Sequence, residues 1–193
     1  MSDEAVSIYI DLKSPYSYVA AHKALALEEA GKVIFDWRPF VLNTAERAKA
    51  DRESFIRRAR YIYRDVRRFA TPLNLTVKGP KQIHDSTLAS IALLFSQNAG
   101  AHRRYISECY RRFFDRDLEL DNAKAIEALL ADCGIDASEF TPYAAGEGSD
   151  LLASCRAEAD AIGVFAVPTF VIGTELYWGQ DRMDMALTAA GIV

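Results

Sequence analysis

The sequence predicts an α/β protein in which the two ends of the chain build one mixed four-stranded sheet and the middle forms an all-helical insertion. Three observations predict this fold class. A β-α-β pattern occupies residues 1–43, only helical periodicity follows in residues 44–152, and an α-β-β-α order closes the chain. We therefore assign residues 1–43 and 153–193 to a domain that contains the sheet, and residues 44–152 to a helical domain inserted into it.

The first unit begins with "VSIYI" (residues 6–10), whose β-branched and aromatic residues predict a strand. A helix follows, because Ser14 is a favoured N-cap residue and Pro15 a favoured first helical residue. Gly31 marks the end of this helix. The run "KVIFDWRPF" (residues 32–40) predicts a second strand, and a β-α-β crossover favours parallel pairing of the two.

The middle of the chain carries apolar residues at three-and-four spacing, which is typical of helices with one buried face. Helices are predicted within residues 53–70, 86–100, 102–114, 122–134 and 149–163, with Asp85 or Ser86 capping the second, and a loop is predicted at 75–86.

The C-terminal part returns to strands at "FAVPTFVI" (residues 165–172) and "ELYWG" (residues 175–179). The residues between them, Gly173 and Thr174, suit a tight hairpin. The segment "QDRMDMAL" begins a last helix, predicted at 181–190.

Pro168 lies in the third predicted strand, where it cannot donate a ladder hydrogen bond. A cis Val167–Pro168 peptide bond in a tight bend explains its presence. Such a bend turns the backbone of Val167 outward, where it can pair with an extended peptide as a short extra strand.

The composition bounds the function. The 193 residues have a net charge of −4, which argues against nucleic-acid binding, and the chain has no apolar run long enough to span a membrane. The N-terminus lacks a secretion signal, so we expect a cytoplasmic protein. The arginine-rich run at 57–69 is interpreted as a solvated or dimer-facing helix. Alternatively, Arg57, Arg60 or Arg64 points at an anionic substrate.

Cysteine and histidine spacing argues against dithiol and metal chemistry. The three cysteines are widely separated, with no C-x-x-C pair, and are predicted to be buried hydrophobic side chains. The histidines have no metal-ligand spacing, so we expect no metal. These residues are Cys109, Cys133, Cys155, His22, His84 and His102.

Four motifs together resemble a known family. "SPYSY" after the first strand, "WRPF" on the second, "GVFAVPTFVI" and "WGQDRMD" are similar to the 2-hydroxychromene-2-carboxylate isomerases and kappa-class glutathione transferases. The resemblance implies a thioredoxin-like fold of the disulfide-bond-protein-A type. It covers essentially the whole chain, although the helical middle matches mainly in pattern.

The resemblance implies glutathione as cofactor and assigns the residues that bind it. Ser14 matches the serine whose hydroxyl meets the glutathione sulfur, and Val167, before Pro168, matches the residue whose backbone pairs with the cysteinyl group. Gln180 and Asp181 match the pair that holds the γ-glutamyl end. A helix N-terminus and a hydroxyl donor independently favour a thiolate. The simpler alternatives are that Ser14 and the pair only cap helices.

The second-substrate half of the site departs from the family. The transferase-like relatives carry a lysine and an asparagine after the second strand, where this chain has Arg47 and Asp51. Arg47 can neutralise a carboxylate, whereas Asp51 would repel one. Asp85 stands where relatives often have asparagine, and Tyr16 either lines the site or packs on a helix face.

The resemblance favours a glutathione-dependent isomerase. In this family the thiolate adds to a conjugated aromatic carboxylate, the ring opens, a bond rotates and the thiolate leaves. A homodimer is expected because relatives are commonly dimers. A kappa-like glutathione transferase and a non-catalytic thioredoxin-like binding module are the alternatives. A dithiol oxidoreductase is disfavoured because the corner holds serine in place of cysteine, and Ser14 lacks a histidine placed to activate it as a nucleophile.

Overall fold

The sheet is built from both ends of the chain. The computed structural model describes residues 6–192, so residues 1–5 and 193 of the predicted sheet domain lie outside the described part. The strands are β1 (Val6–Ile10), β2 (Phe35–Pro39), β3 (Thr169–Ile172) and β4 (Glu175–Trp178). Their order is β2-β1-β3-β4, with β1 parallel to β2 and the other two pairs antiparallel. The predicted mixed four-stranded sheet is confirmed.

Helices fill most of the remaining described chain. They are α1 (Pro15–Glu29), α2 (Thr44–Ala50), α3 (Arg52–Ala70), α4 (Thr87–Asn98), α5 (His102–Asp115), α6 (Ala123–Asp132), α7 (Phe140–Ala145), α8 (Glu147–Ala161) and α9 (Met183–Ala189). The predicted helices are all present, and residues 75–86 form the predicted loop. The short helices α2 and α7 were not predicted, because six or seven residues do not repeat an apolar periodicity.

Two predicted boundaries beside the bend at Pro168 are wrong. Strand β3 begins at Thr169 and not at residue 165, because Pro168 has no N–H to donate to the ladder. Helix α9 spans Met183–Ala189, so Asp181 lies before this helix and not within it.

A single large cluster of buried apolar residues joins the sheet to the helical block. The ring of Tyr18 on α1 stacks on Tyr110 and Phe114 of α5, with both centroid distances 5.2 Å. A smaller cluster on the other face of the sheet includes Tyr9, Val167 and Ala159 of α8. The sheet is therefore covered on both faces. The boundary between the two predicted domains stays a prediction.

The three cysteines are buried, as predicted, and burial raises the pKa of the Cys109 thiol. In the described residues, no three or more acidic, histidine or cysteine side chains are grouped as a metal site would require. None of the helices between residues 6 and 192 is long and apolar enough to cross a membrane.

Candidate functional site

At one edge of the sheet, where these strands end or begin, lie the residues that follow β1, β2 and β4 and those that precede β3. Parallel pairing of β1 with β2 and antiparallel pairing of β1 with β3 and β3 with β4 impose this arrangement. The register that fixes it pairs Ile10 with Pro39, Tyr9 with Thr169 and Thr169 with Trp178. Ser14, Pro168 and Gln180 therefore extend from neighbouring strand ends at the same edge.

Ser14 is the N-cap of α1 and is almost completely buried, with 5% of its surface exposed. Its Oγ accepts a hydrogen bond from the Ser17 amide at 3.3 Å, and its own amide donates to the carbonyl of Asp11 at 2.9 Å. No described residue accepts the proton of the Ser14 hydroxyl. The predicted cap is confirmed, and the hydroxyl keeps one donor for a ligand.

The backbone of Val167 is unpaired in the described part of the chain. The Val167–Pro168 peptide bond is cis, as predicted. Neither the amide nor the carbonyl of Val167 forms a hydrogen bond with residues 6–192, although its side chain packs into the smaller apolar cluster. One amide and one carbonyl are thus left for an extended ligand backbone.

Gln180 and Asp181 follow β4 at the same edge. Gln180 is buried, and its Oε1 accepts a hydrogen bond from Lys23 Nζ at 3.2 Å. Asp181 is exposed, and its Oδ2 lies 2.7 Å from Arg182 Nη1. The N-cap of α9 is Arg182, with no side-chain capping hydrogen bond. The alternative that Gln180 and Asp181 only cap the last helix is therefore wrong.

Tyr16 faces α3 and is half-buried. Its hydroxyl donates a 2.6 Å hydrogen bond to Asp65 Oδ2. Burial, followed by this hydrogen bond, raises the pKa of Tyr16, and the same bond is the main cause that lowers the pKa of Asp65. The Tyr16 hydroxyl proton is therefore committed to a contact between helices, which favours the packing alternative.

The predicted substrate residues occupy helix starts and exposed helix surface. Arg47 is exposed on α2 and forms no ion pair with another described residue. Asp51 is exposed and caps α3 by accepting from the Ser54 amide at 2.9 Å. Its carboxylate has a structural role that the sequence interpretation did not include.

Asp85 precedes α4 and accepts hydrogen bonds from the amide and the hydroxyl of Thr87, at 2.8 and 2.6 Å. Burial acts to raise the pKa of Asp85, but the Thr87 hydrogen bonds and the charge of Lys13 outweigh it, so the pKa is lowered. Asp85 is thus an anion at the start of α4.

Sequence reasoning missed a polar cluster directly beside Ser14. The side chains of Asp11, Lys13 and Ser86 contact one another, with Ser86 Oγ 2.6 Å from Asp11 Oδ1 and Lys13 Nζ 3.0 Å from Ser86 Oγ. The available signal was an aspartate placed immediately after the apolar strand β1, three residues before Ser14. Lys23, which contacts Gln180, gave no signal.

Trp178, the last residue of β4, is a large aromatic residue that lies at the surface and not in the core. The residue is 54% exposed, and its ring makes an edge contact with the ring of exposed Phe165 at a centroid distance of 5.0 Å. Strand β4 lies at the end of the sheet order, so its outer face has fewer neighbours to cover it.

Comparisons with known proteins agree with this fold. The model of the DSBA-like thioredoxin domain matches residues 5–190. A Sphingobium xenophagum protein named 2-hydroxychromene-2-carboxylate isomerase is 22% identical over 188 residues, which cover 94% of this chain and 95% of that protein. A protein of the same name from Pseudomonas sp. (strain C18) is 26% identical over 197 residues, which cover 96% of this chain and 90% of that protein.

A solved structure of a 2-hydroxychromene-2-carboxylate isomerase has a TM-score of 0.80 and 21% identity, and the match covers 97% of this chain and 94% of the other. This likeness agrees with the sheet order and with the helices placed between its two halves. By the match over nearly its whole length, the chain belongs to the family of DSBA-like thioredoxin domains.

Proposed function

We propose that this chain is a glutathione-dependent isomerase acting on 2-hydroxychromene-2-carboxylate or a closely similar conjugated aromatic carboxylate. The relatives that it matches over most of their length are named 2-hydroxychromene-2-carboxylate isomerases. The main support for the proposal is that two groups lie at the same edge of the sheet. One is the Ser14 hydroxyl, whose proton has no acceptor among the described residues, and the other is the unpaired backbone of Val167.

The residues at this edge fit glutathione as a tripeptide thiol. Val167 offers a backbone donor and acceptor to the middle of the peptide, and Asp181 offers a carboxylate to an ammonium group. Gln180 is buried and is held by Lys23, so its amide can present a fixed polar contact. When bound, glutathione supplies the thiolate nucleophile that the chain, with its cysteines buried, does not present itself.

Ser14 has two compatible tasks in this proposal. Its Oγ lone pair accepts the Ser17 amide and keeps α1 capped, while its proton is donated to a sulfur anion. The N-terminus of the 15-residue helix α1 adds a favourable partial positive charge. Both effects lower the pKa of a thiol, which is about 8.5 for a free cysteine.

A glutathione transferase is the second candidate, because a glutathione thiolate that has added to an electrophile can also remain attached to it. The resemblance places a lysine and an asparagine in the transferase-like relatives where this chain has exposed Arg47 and the helix-capping Asp51, so the match to them is incomplete. The mass of the product separates the candidates. An unchanged formula indicates isomerisation, and a product heavier by one glutathione indicates transfer.

The direct test mixes purified protein with the chromene carboxylate and follows its absorbance spectrum with and without glutathione. The proposal expects a spectral change that requires both protein and glutathione and that Ser14→Ala slows strongly. Asn122→Ala is the control, because Asn122 caps the distant helix α6 in the same manner. A spectrum unchanged with glutathione contradicts the proposal, and failure to bind glutathione indicates a non-catalytic binding module.

A further inference from the structure

A fully buried carboxylate lies in the same turn as Ser14. The side chain of Asp11 is 0% exposed. It accepts hydrogen bonds from the Leu42 amide at 2.7 Å, the Ser86 hydroxyl at 2.6 Å and the Lys13 amide at 3.0 Å. These donors belong to the β2–α2 loop, the start of α4 and the turn itself. Hydrogen bonds to the Asp11 carboxylate therefore link these three segments at the candidate site.

The carbonyl of Asp11 holds Ser14 directly. It accepts the Ser14 amide at 2.9 Å and the Tyr110 hydroxyl at 3.1 Å. A shift of Asp11 would therefore displace Ser14 as well. The hydrogen bond from Tyr110 links this turn to α5.

This arrangement creates an electrostatic conflict. An anionic carboxylate near a second anion raises the energy of that anion, and burial strengthens the repulsion because the local dielectric constant is low. A carboxylate within the Ser14 turn would therefore oppose a thiolate held by Ser14.

Lys13 is placed to remove the conflict. Its Nζ lies 3.4 Å from Asp11 Oδ2 and donates to Ser86 Oγ at 3.0 Å, and its side chain is only 9% exposed. A buried ammonium next to a buried carboxylate leaves little net charge in the turn.

We propose that Lys13 is a positioning and charge-balancing residue for Ser14, which neutralises Asp11 so that the corner favours a bound thiolate. The proposal rests on the glutathione-binding function above. It assigns Lys13 no contact with the sulfur. Position 13 needs a cation because the carboxylate of Asp11 already builds the turn.

Other titratable groups that face the cluster do not replace Lys13. Burial raises the pKa of Tyr63 on α3 and of Cys109 and Tyr110 on α5, so these groups stay neutral near neutral pH. Asp85, before α4, has a lowered pKa and adds a second negative charge near Lys13. The ammonium of Lys13 is the cation in contact with Asp11 among the described residues.

The test titrates the thiol of bound glutathione by the ultraviolet absorbance of its thiolate, at saturating protein, and records the half-titration pH. Lys13→Met leaves Asp11 unbalanced and should raise this pH by about one unit. Asp11→Asn, which leaves Lys13 unbalanced, should lower it. The double variant Asp11→Asn/Lys13→Met should return it to nearly the value of the unaltered protein. Lys124→Met, at an exposed lysine of α6, should change nothing.

A half-titration pH that is unchanged in both single variants, or a double variant that stays as high as Lys13→Met, would overturn the proposal. The opposite shift expected for Asp11→Asn tests the same idea if Lys13→Met does not fold. Failure of the unaltered protein to bind glutathione overturns the proposed function itself, whereas normal binding with an unshifted thiol overturns only the role of Lys13.

Discussion

The amide of Gly179 donates a 2.9 Å hydrogen bond to the carbonyl of Pro168, which joins the end of β4 to the residue before β3. Val167 lies immediately before that junction, and Gln180 lies immediately after it. One backbone hydrogen bond therefore brings the two proposed peptide-binding segments together, although they are far apart along the hairpin.

The first prediction concerns Gly179, whose φ of +124° is outside the range that other residues readily adopt. A Cβ there would lie 2.6 Å from Asp181 Oδ1. Gly179→Ala should therefore displace Asp181, lower the free energy of unfolding by about 1–3 kcal/mol and weaken glutathione binding. Urea unfolding and calorimetric titration measure the two effects.

Gly79→Ala is the control for this variant. A Cβ at Gly79 would meet the Tyr63 ring at an ordinary 3.7 Å. Equal glutathione affinity in the two variants would show that the turn at Gly179 does not position the ligand-binding pair.

The second prediction concerns the exposed ion pair of Asp181 and Arg182. If Asp181 binds the γ-glutamyl ammonium, Asp181→Asn should weaken glutathione binding by about tenfold, a loss in the range of a charged hydrogen bond. Arg182→Gln should not weaken it, because the guanidinium competes for the same carboxylate. Asp184→Asn, in the first turn of α9, is the matched charge control. Equal affinity of Asp181→Asn and Asp184→Asn would refute the assignment.

The third prediction concerns Glu28, whose buried carboxylate accepts from the Phe35 amide at 2.8 Å and Arg103 Nε at 2.8 Å. It also accepts from the indole of Trp37. Glu28→Gln places an amide N–H₂ among these donors and should lower the free energy of unfolding by about 1–3 kcal/mol, without changing glutathione affinity. Glu29→Gln, at the exposed neighbouring residue, is the control in urea unfolding. A loss of stability equal to that of the control contradicts the assigned role.

The fourth prediction concerns His102, whose Nδ1 is buried without a hydrogen-bond partner among the described groups. Burial lowers the pKa of His102, and the charge of Arg103 acts in the same direction, while Glu28 opposes both. The unfolded chain, with a histidine pKa of about 6.5, therefore binds more protons than the folded protein just below that pH. Stability should fall as the pH decreases from there through the folded pKa.

His102→Gln removes this proton uptake and should reduce the loss of unfolding free energy between neutral and mildly acid pH. Exposed His22→Gln is the control. The measurement is a series of urea unfolding curves across that range, and identical pH dependence of His102→Gln and the unaltered protein would contradict the prediction.

Local signals were sufficient for the corner at β1 and α1. Ser14 and Pro15 specify a helix start by their own chemistry, and Pro168 indicated a bend because it has no N–H. The order of strands and helices followed from periodicity, and the family resemblance supplied the sheet topology. The roles of Ser14, Val167, Gln180 and Asp181 toward glutathione stay predictions.

The polar cluster of Asp11 was not predictable from local sequence. Its partners Leu42, Ser86 and Tyr110 lie 31, 75 and 99 residues further along the chain. Only the packing of the helical block against the sheet brings them together. The boundary between α2 and α3 was also not predicted. It lies at Asp51, which caps α3 and which the sequence interpretation had placed among the substrate-binding residues.

The most direct test of whether the Ser14 hydroxyl binds the glutathione sulfur compares the binding of glutathione and S-methylglutathione to the unaltered protein and to Ser14→Ala. Calorimetry gives the affinities, and Asn122→Ala controls for the loss of a helix cap. We expect Ser14→Ala to weaken glutathione binding by about tenfold or more, as for a hydrogen bond to a charged group, and to leave the affinity for S-methylglutathione nearly unchanged. An equal change for both ligands would contradict the account.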